Sequence, residues 1–202
     1  NTQVKLKLKA GQVVQIALTG ARHSVGTTTQ CLAISDYLTK VGLSPLIITT
    51  DTDFYEKIKL CFDLKENLLN VIEIKGKNIA EKPPTAFDKF NVIIYDFGVI
   101  DENNFDAWSK ADISILVSTG RTWELASLIR ADGIISKTKK YELWLNFCTG
   151  AEYAAIKEWD KLAQAHKVRL PYQENPFKLD ELVFYHSNLL SSLKKVAGYD
   201  NT

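Results

Sequence analysis

Along the chain, short runs of aliphatic and β-branched residues alternate with longer stretches whose apolar positions recur every three or four residues. The first clear run is Val13-Val14-Gln15-Ile16-Ala17-Leu18, closed by Thr19-Gly20. From about Gly26 the spacing of Cys31, Leu32, Ile34, Leu38 and Val41 predicts an amphipathic helix, and Gly42 is placed to end it. Residues 46–50, 92–95, 113–117 and 143–147 repeat the strand pattern, with helical patterns over 122–136 and 151–166 and a last short strand at 167–170. Between the second and third core strands the pattern is less regular: a helix over 54–62, a short strand at 71–74, and Pro83-Pro84 as loop. A final amphipathic helix over 188–196 is expected to dock on the sheet. Strand and helix in alternation predict βα units, and runs this rich in Ile, Val and Leu predict strands covered on both faces. The expected fold is therefore α/β, a doubly wound, mostly parallel sheet sandwiched by helices. At the start, Val4-Lys5-Leu6-Lys7-Leu8-Lys9 alternates apolar and basic, and with the turn Ala10-Gly11-Gln12 it predicts an N-terminal edge hairpin.

Composition narrows the class. With 202 residues and 46% hydrophobic content, the chain is read as one domain over 1–202 with room for a full core. A net charge of +1 offers no strong nucleic-acid signal, although local basic runs exist at Lys137-Thr138-Lys139-Lys140 and Lys194-Lys195. Cys31, Cys61 and Cys148 are odd in number and lack CxxC spacing, which points to free thiols in a reducing, cytoplasmic setting. The chain has no methionine and starts at Asn1, so a segment of a longer protein is expected. No stretch reaches the ~18 apolar residues of a membrane span, and none reads as a signal peptide.

In doubly wound sheets ligands bind beyond the carboxyl ends of the strands. The first such end is Thr19-Gly20-Ala21-Arg22-His23-Ser24-Val25-Gly26-Thr27-Thr28-Thr29, a strand–loop–helix with hydroxyls crowded at a helix start. Unpaired N–H groups and the positive dipole end make that position suited to phosphate.

These residues, with the motifs that follow, resemble the MinD/ParA group of deviant Walker A P-loop ATPases, whose loop reads xKGGxGK[ST]. Gly26-Thr27-Thr28 falls on GK[ST], Arg22 on the group's signature Lys, and His23 and Ser24 on its two glycines. Thr27 then stands where the phosphate-binding Lys belongs, and Thr28 where the Mg²⁺-binding hydroxyl belongs. Later motifs are collinear over roughly 13–197: Asp51-Thr52-Asp53 resembles the first-switch DxD, and Asp96 after 92–95 the Walker B Asp. Residues 111–119 resemble the group's next "AD" strand, Asn146 its adenine-reading Asn, and Leu170-Pro171-Tyr172 its late loop beside the base.

The resemblance implies ATP or ADP with Mg²⁺ as cofactor. Arg22, Val25, Gly26, Thr27, Thr28, Thr29, Asn146 and Pro171 would contact nucleotide, Thr28 and Asp96 would hold the metal, and Asp51 would act in catalysis. Both lysines being replaced, the expected function is a regulatory, positioning or assembly module with a degenerate nucleotide site, binding ATP weakly or not at all and hydrolysing it negligibly. Protein partners in a larger assembly and a homodimer are the implied interactions, and members with atypical loops in pilus-assembly and localisation systems set the context. Two alternatives stand beside it: an active ATPase or related ATP-dependent enzyme using Arg22 as surrogate cation, and a ParA-like DNA-partitioning partner. Independently of the resemblance, Trp108, Trp123, Trp144 and Trp159 read mostly as core or helix–sheet packing, while Arg121-Thr122-Trp123 is the one aromatic–basic pair on a strand-end loop that suggests a contact surface.

Overall fold

A computed structural model describes residues 6–85, 88–135, 141–162, 164–170 and 183–197. Among them the strands β1 (Val14–Gly20), β2 (Pro45–Thr49), β3 (Ile72–Ile74), β4 (Lys77–Ala80), β5 (Val92–Val99), β6 (Ile113–Thr119), β7 (Tyr141–Asn146) and β8 (Ala165–Arg169) form one sheet. Their order is β3-β4-β2-β5-β1-β6-β7-β8, and every pairing is parallel except β3 with β4. The helices are α1 (Thr27–Lys40), α2 (Thr52–Cys61), α3 (Glu102–Lys110), α4 (Leu125–Ile135), α5 (Gly150–Lys157) and α6 (Val183–Ala197).

The strand residues divide by parity, as a pleated sheet requires. Val14, Ile16 and Leu18 of β1, Ile47 of β2 and Trp144 of β7 join a core with α1, α2 and α6. Ala17, Leu116, Leu143 and Leu145 face the opposite core, which α3, α4 and α5 close. Helices thus cover both faces, and the doubly wound α/β sheet expected from the sequence is the one observed. Leu189 and Leu193 of α6 are buried, so this last helix docks on the sheet.

Four elements differ from expectation. Residues 6–9 form no strand; instead the Leu6 N–H donates to the Val41 carbonyl (2.9 Å) and its side chain packs beneath the end of α1. The edge hairpin is therefore not formed among the described residues, although the turn at Gly11 is present. The helix expected over 151–166 stops at Lys157, because the Lys167 ammonium donates to the carbonyls of Lys157 and Trp159, and buried Leu162 pulls the chain back toward β8. The irregular stretch after α2 holds a β3–β4 hairpin whose two turn residues, Lys75 and Gly76, both have positive φ (47° and 74°), the signature of a type I′ turn. Finally, α3 begins with a capping box in which Asp101 accepts from the Asn104 N–H and the Asn104 side chain accepts from the Asp101 N–H. Pro171, Tyr172 and Lys137–Lys140 lie outside the described residues.

Trp108 explains why a helix as polar as α3 stays attached. It is fully buried, packs edge-on against Tyr141 and donates its indole N–H to the Ile115 carbonyl (3.1 Å). Trp108→Ala should lower unfolding free energy by about 3–5 kcal/mol in urea denaturation, whereas Leu68→Ser, at a fully exposed side chain, should stay within about 0.5 kcal/mol of wild type.

Candidate functional site

The loop from Gly20 to Thr27 joins central strand β1 to α1, and it is braced from four directions. The Ala21 N–H donates to the Val117 carbonyl of β6 (2.8 Å), and Arg130 of α4 donates to the Ala21 carbonyl (3.1 Å). Beyond the end of β5, the Ile100 N–H donates to the Gly20 carbonyl (2.9 Å). Asn146, at the end of β7, donates its amide N–H to the Val25 carbonyl (3.1 Å). Gly20 is needed for this closeness, since a Cβ there would lie 2.7 Å from Thr27 Oγ1 and 2.8 Å from Val25 Cγ2.

The loop backbone carries two left-handed residues, Ser24 (φ 61°) and Gly26 (φ 93°), on either side of Val25. Alternation of hand turns successive N–H groups toward one point, which is how a backbone nest binds an anion. Gly26 is also sterically required, because a Cβ would fall 2.5 Å from Asn146 Nδ2. Ser24 occupies a glycine-like conformation with a side chain that the left-handed region tolerates only at some cost. The start of α1 has no side-chain cap, so its first N–H groups remain available.

Beneath this cradle sits Asp96, which is fully buried. It accepts from the Thr28 hydroxyl at 2.6 Å and from the Gly98 N–H at 3.2 Å. The β1–β5 register shifts between Leu18 and Gly20, so that Gly20 pairs with Val99, and Gly98 takes a positive φ of 65° there. That bulge lets β5 fold its Gly98 N–H back onto the carboxylate. Burial raises the Asp96 pKa above the ordinary aspartate value; the Thr28 and Gly98 bonds oppose the rise, and the Asp51 charge adds to it.

The remaining expected residues fall around the same cleft. Arg22, His23, Ser24, Gly26, Thr27, Thr28, Thr29, Asp51, Gly98 and Val99 line a hollow of about 220 Å³. That is smaller than the roughly 300–1,000 Å³ of a pocket enclosing a whole small-molecule ligand, and suits a phosphate chain. Thr27 is only 8% exposed and sits against Gly20. Asp51 caps α2 by accepting from the Phe54 N–H (2.9 Å), while Asp53 is exposed and pairs with Lys57. Val25 is core, and buried Asn146 braces the loop, its carbonyl oxygen accepting from the Phe147 N–H.

Sequence reasoning missed Glu124 and Arg130, and it placed Gly98 and Thr119 only at strand ends on the ligand side, without a role. Glu124 pairs with Arg22 (2.9 Å) and accepts from the Thr119 hydroxyl. No spacing signal announces such a pair, since 102 residues separate its partners. Nearby, the Arg121 guanidinium lies over the rings of both Trp123 and Phe147 (5.7 and 5.8 Å), and Trp123 is 74% exposed. Trp123 therefore lies outside the core, contrary to the packing expected of it, because its short strand-end turn holds the ring out beside Arg121. All three cysteines are free, with Cys31 and Cys148 buried.

No protein-family model matches the sequence, and no curated protein matches it. Solved structures do. The chain is similar to a putative plasmid partition protein from Borrelia burgdorferi B31, solved bound to AMPPNP, at 18% identity and a TM-score of 0.63, over 92% of this chain and 99% of that one. It is similar to the MinD cell division protein of Aquifex aeolicus at 16% identity and a TM-score of 0.64, over 94% and 99% of the two chains. A ParA family ATPase from Chlorobium tepidum TLS aligns at 17% identity and a TM-score of 0.57, over 91% and 96%. At these identities the fold is what is shared: this chain has the MinD/ParA-type P-loop NTPase fold. No helix among the described residues is long and apolar enough to cross a membrane.

The buried Asp96 makes a pH test of the site. Its folded pKa is raised, so the folded state holds the proton more tightly and wild-type stability falls as pH rises from the usual aspartate range through the raised value. Asp96→Asn removes that penalty and keeps the shape, its Oδ1 accepting from the Gly98 N–H and its amide N–H donating to the Thr28 oxygen in place of the bond that the Thr28 hydroxyl gave. It should melt a few degrees above wild type at pH 7, with the gap closing as the solution is acidified toward pH 4, by calorimetric scans across that range.

Proposed function

We propose that this domain is a MinD/ParA-like regulatory, positioning or assembly module whose loop binds a nucleotide's phosphate chain weakly and whose turnover is negligible. The observation that carries this reading is Thr27, the first residue of α1, mostly buried against Gly20 at the position where the resemblance expects a lysine. A lysine there would set a full positive charge on the β/γ-phosphates, where charge develops in the transition state; a hydroxyl cannot. What remains is the backbone nest at Ser24–Gly26, the open start of α1 and the Thr28 and Thr29 hydroxyls. These fit a phosphate chain. Thr28 and Asp96, already joined by a hydrogen bond, fit a hydroxyl–carboxylate pair that would hold Mg²⁺. When bound, the metal would neutralise phosphate charge.

Protein partners are supported by the exposed Trp123 beside the half-buried Arg121, residue types enriched where interfaces concentrate their energy. A structural neighbour is MinD of Aquifex aeolicus in complex with MinC, a precedent for this fold acting through a bound protein. Two copies meeting face to face across their loops would be the matching homodimer. A DNA-partitioning role draws little support from a net charge of +1. The working-ATPase alternative rests on Arg22, which lines the cleft but is already paired with Glu124.

Calorimetric titration with Mg-ATP, followed by phosphate-release assays, tests the reading. Wild type should bind weakly without measurable turnover, and Thr27→Lys should tighten binding by roughly tenfold, the scale of one charge-assisted hydrogen bond. Substantial wild-type turnover that disappears in Arg22→Ala would overturn it.

A further inference from the structure

Among the described residues, Arg22 is the one Lys or Arg that lines the cleft, and its charge is already paired. One guanidinium nitrogen donates to Glu124 Oε1 at 2.9 Å, and Nε donates to the His23 carbonyl at 3.2 Å. The other Glu124 oxygen accepts from the Thr119 hydroxyl at the end of β6. The Glu124 side chain is 11% exposed, against 44% for Arg22, so the carboxylate is the fixed member and the arginine the one free to swing. Glu124 is fixed by backbone as well: its N–H donates to the Arg121 carbonyl, closing the short 3-10 turn Thr122–Glu124. The pair ties the rim of the phosphate loop to the start of α4.

We infer that Glu124 is a positioning residue that holds Arg22 along the outer rim of the loop, and that an incoming phosphate must take Arg22 from this carboxylate. The inference rests on the phosphate-binding reading above. Its chemistry is an exchange of one oxyanion for another on the same guanidinium, which suits both carboxylate and phosphate through paired N–H donors. A half-exposed pair of this kind is weak enough to be displaced by a ligand. It is also strong enough to lower affinity, because a phosphate meets a compensated arginine rather than a free one.

Glu124→Gln tests this without emptying the site, since the amide keeps the size of the side chain and an oxygen for the Thr119 hydroxyl. Mg-ATP affinity is measured by calorimetry for wild type, Glu124→Gln, Arg22→Ala and the double variant, each checked for an unchanged melting profile. Glu124→Gln should bind about two- to five-fold tighter at low salt, with a smaller gain at high salt. The gain should vanish when Arg22 is also alanine. A gain that persists in the double variant would show that Glu124 acts only by repelling phosphate and would overturn the positioning role. Equal, measurable affinity for wild type and Glu124→Gln would overturn the inference alone, whereas no binding by any variant would overturn the phosphate reading and the inference together. Should Glu124→Gln melt early, Thr119→Val replaces it: loosening the carboxylate from its second anchor should move affinity in the same direction, and an unchanged or weakened affinity counts against the role.

Discussion

The hydrogen bond from the Thr28 hydroxyl to the buried Asp96 carboxylate is the contact on which the rest of the site depends. It joins the first turn of α1 to the end of β5, so helix and sheet cannot slide without breaking it. A carboxylate excluded from water is unfavourable unless its oxygens are satisfied, and here one takes Thr28 while the other takes the Gly98 N–H. The bulge that brings Gly98 back also ends the β1–β5 pairing at Val99, next to the point where the Ile100 N–H holds the Gly20 carbonyl. The shape of the Gly20–Thr27 loop therefore follows from how β5 terminates.

The loop is held by its neighbours rather than by its own side chains. Val117, Arg130, Ile100 and Asn146 each fix one backbone group between Gly20 and Val25, and Gly26 fits under Asn146 because it has no Cβ. Such a frame does not need a cation at Thr27 or at Arg22 to keep its conformation. Even Ser24 is carried through a left-handed turn by the bonds on either side of it.

The fold was largely visible in the alternation of apolar runs, because a parallel sheet covered on both faces imposes its pattern on the chain. Where the pattern is governed by something other than burial, it was not. The strand β4 carries Lys77, which is buried and paired to Asp36 of α1, so its polar side chain hides the strand signal. The helix α3 is polar apart from Trp108 and a few neighbours, and its capping box was the available clue. The end of α5 is set by Lys167, ten residues away from the carbonyl it binds, a tertiary contact no local window contains. In the site, Gly26, Thr28 and Asp96 stood out because motif order places them, and the structure brings them together. Glu124 and Arg130 were invisible because they act through space on a loop a hundred residues earlier.

Trp123 and Glu124 are consecutive residues of one short turn: the first projects its ring outward beneath the Arg121 guanidinium, the second reaches inward to Arg22 and Thr119. A turn of three residues held by two backbone hydrogen bonds, Glu124 N–H to the Arg121 carbonyl and Leu125 N–H to the Thr122 carbonyl, has little room to move one end alone. Trp123 and the carboxylate that holds Arg22 are therefore fixed to each other through that turn, which ties the exposed aromatic ring to the rim of the Gly20–Thr27 loop.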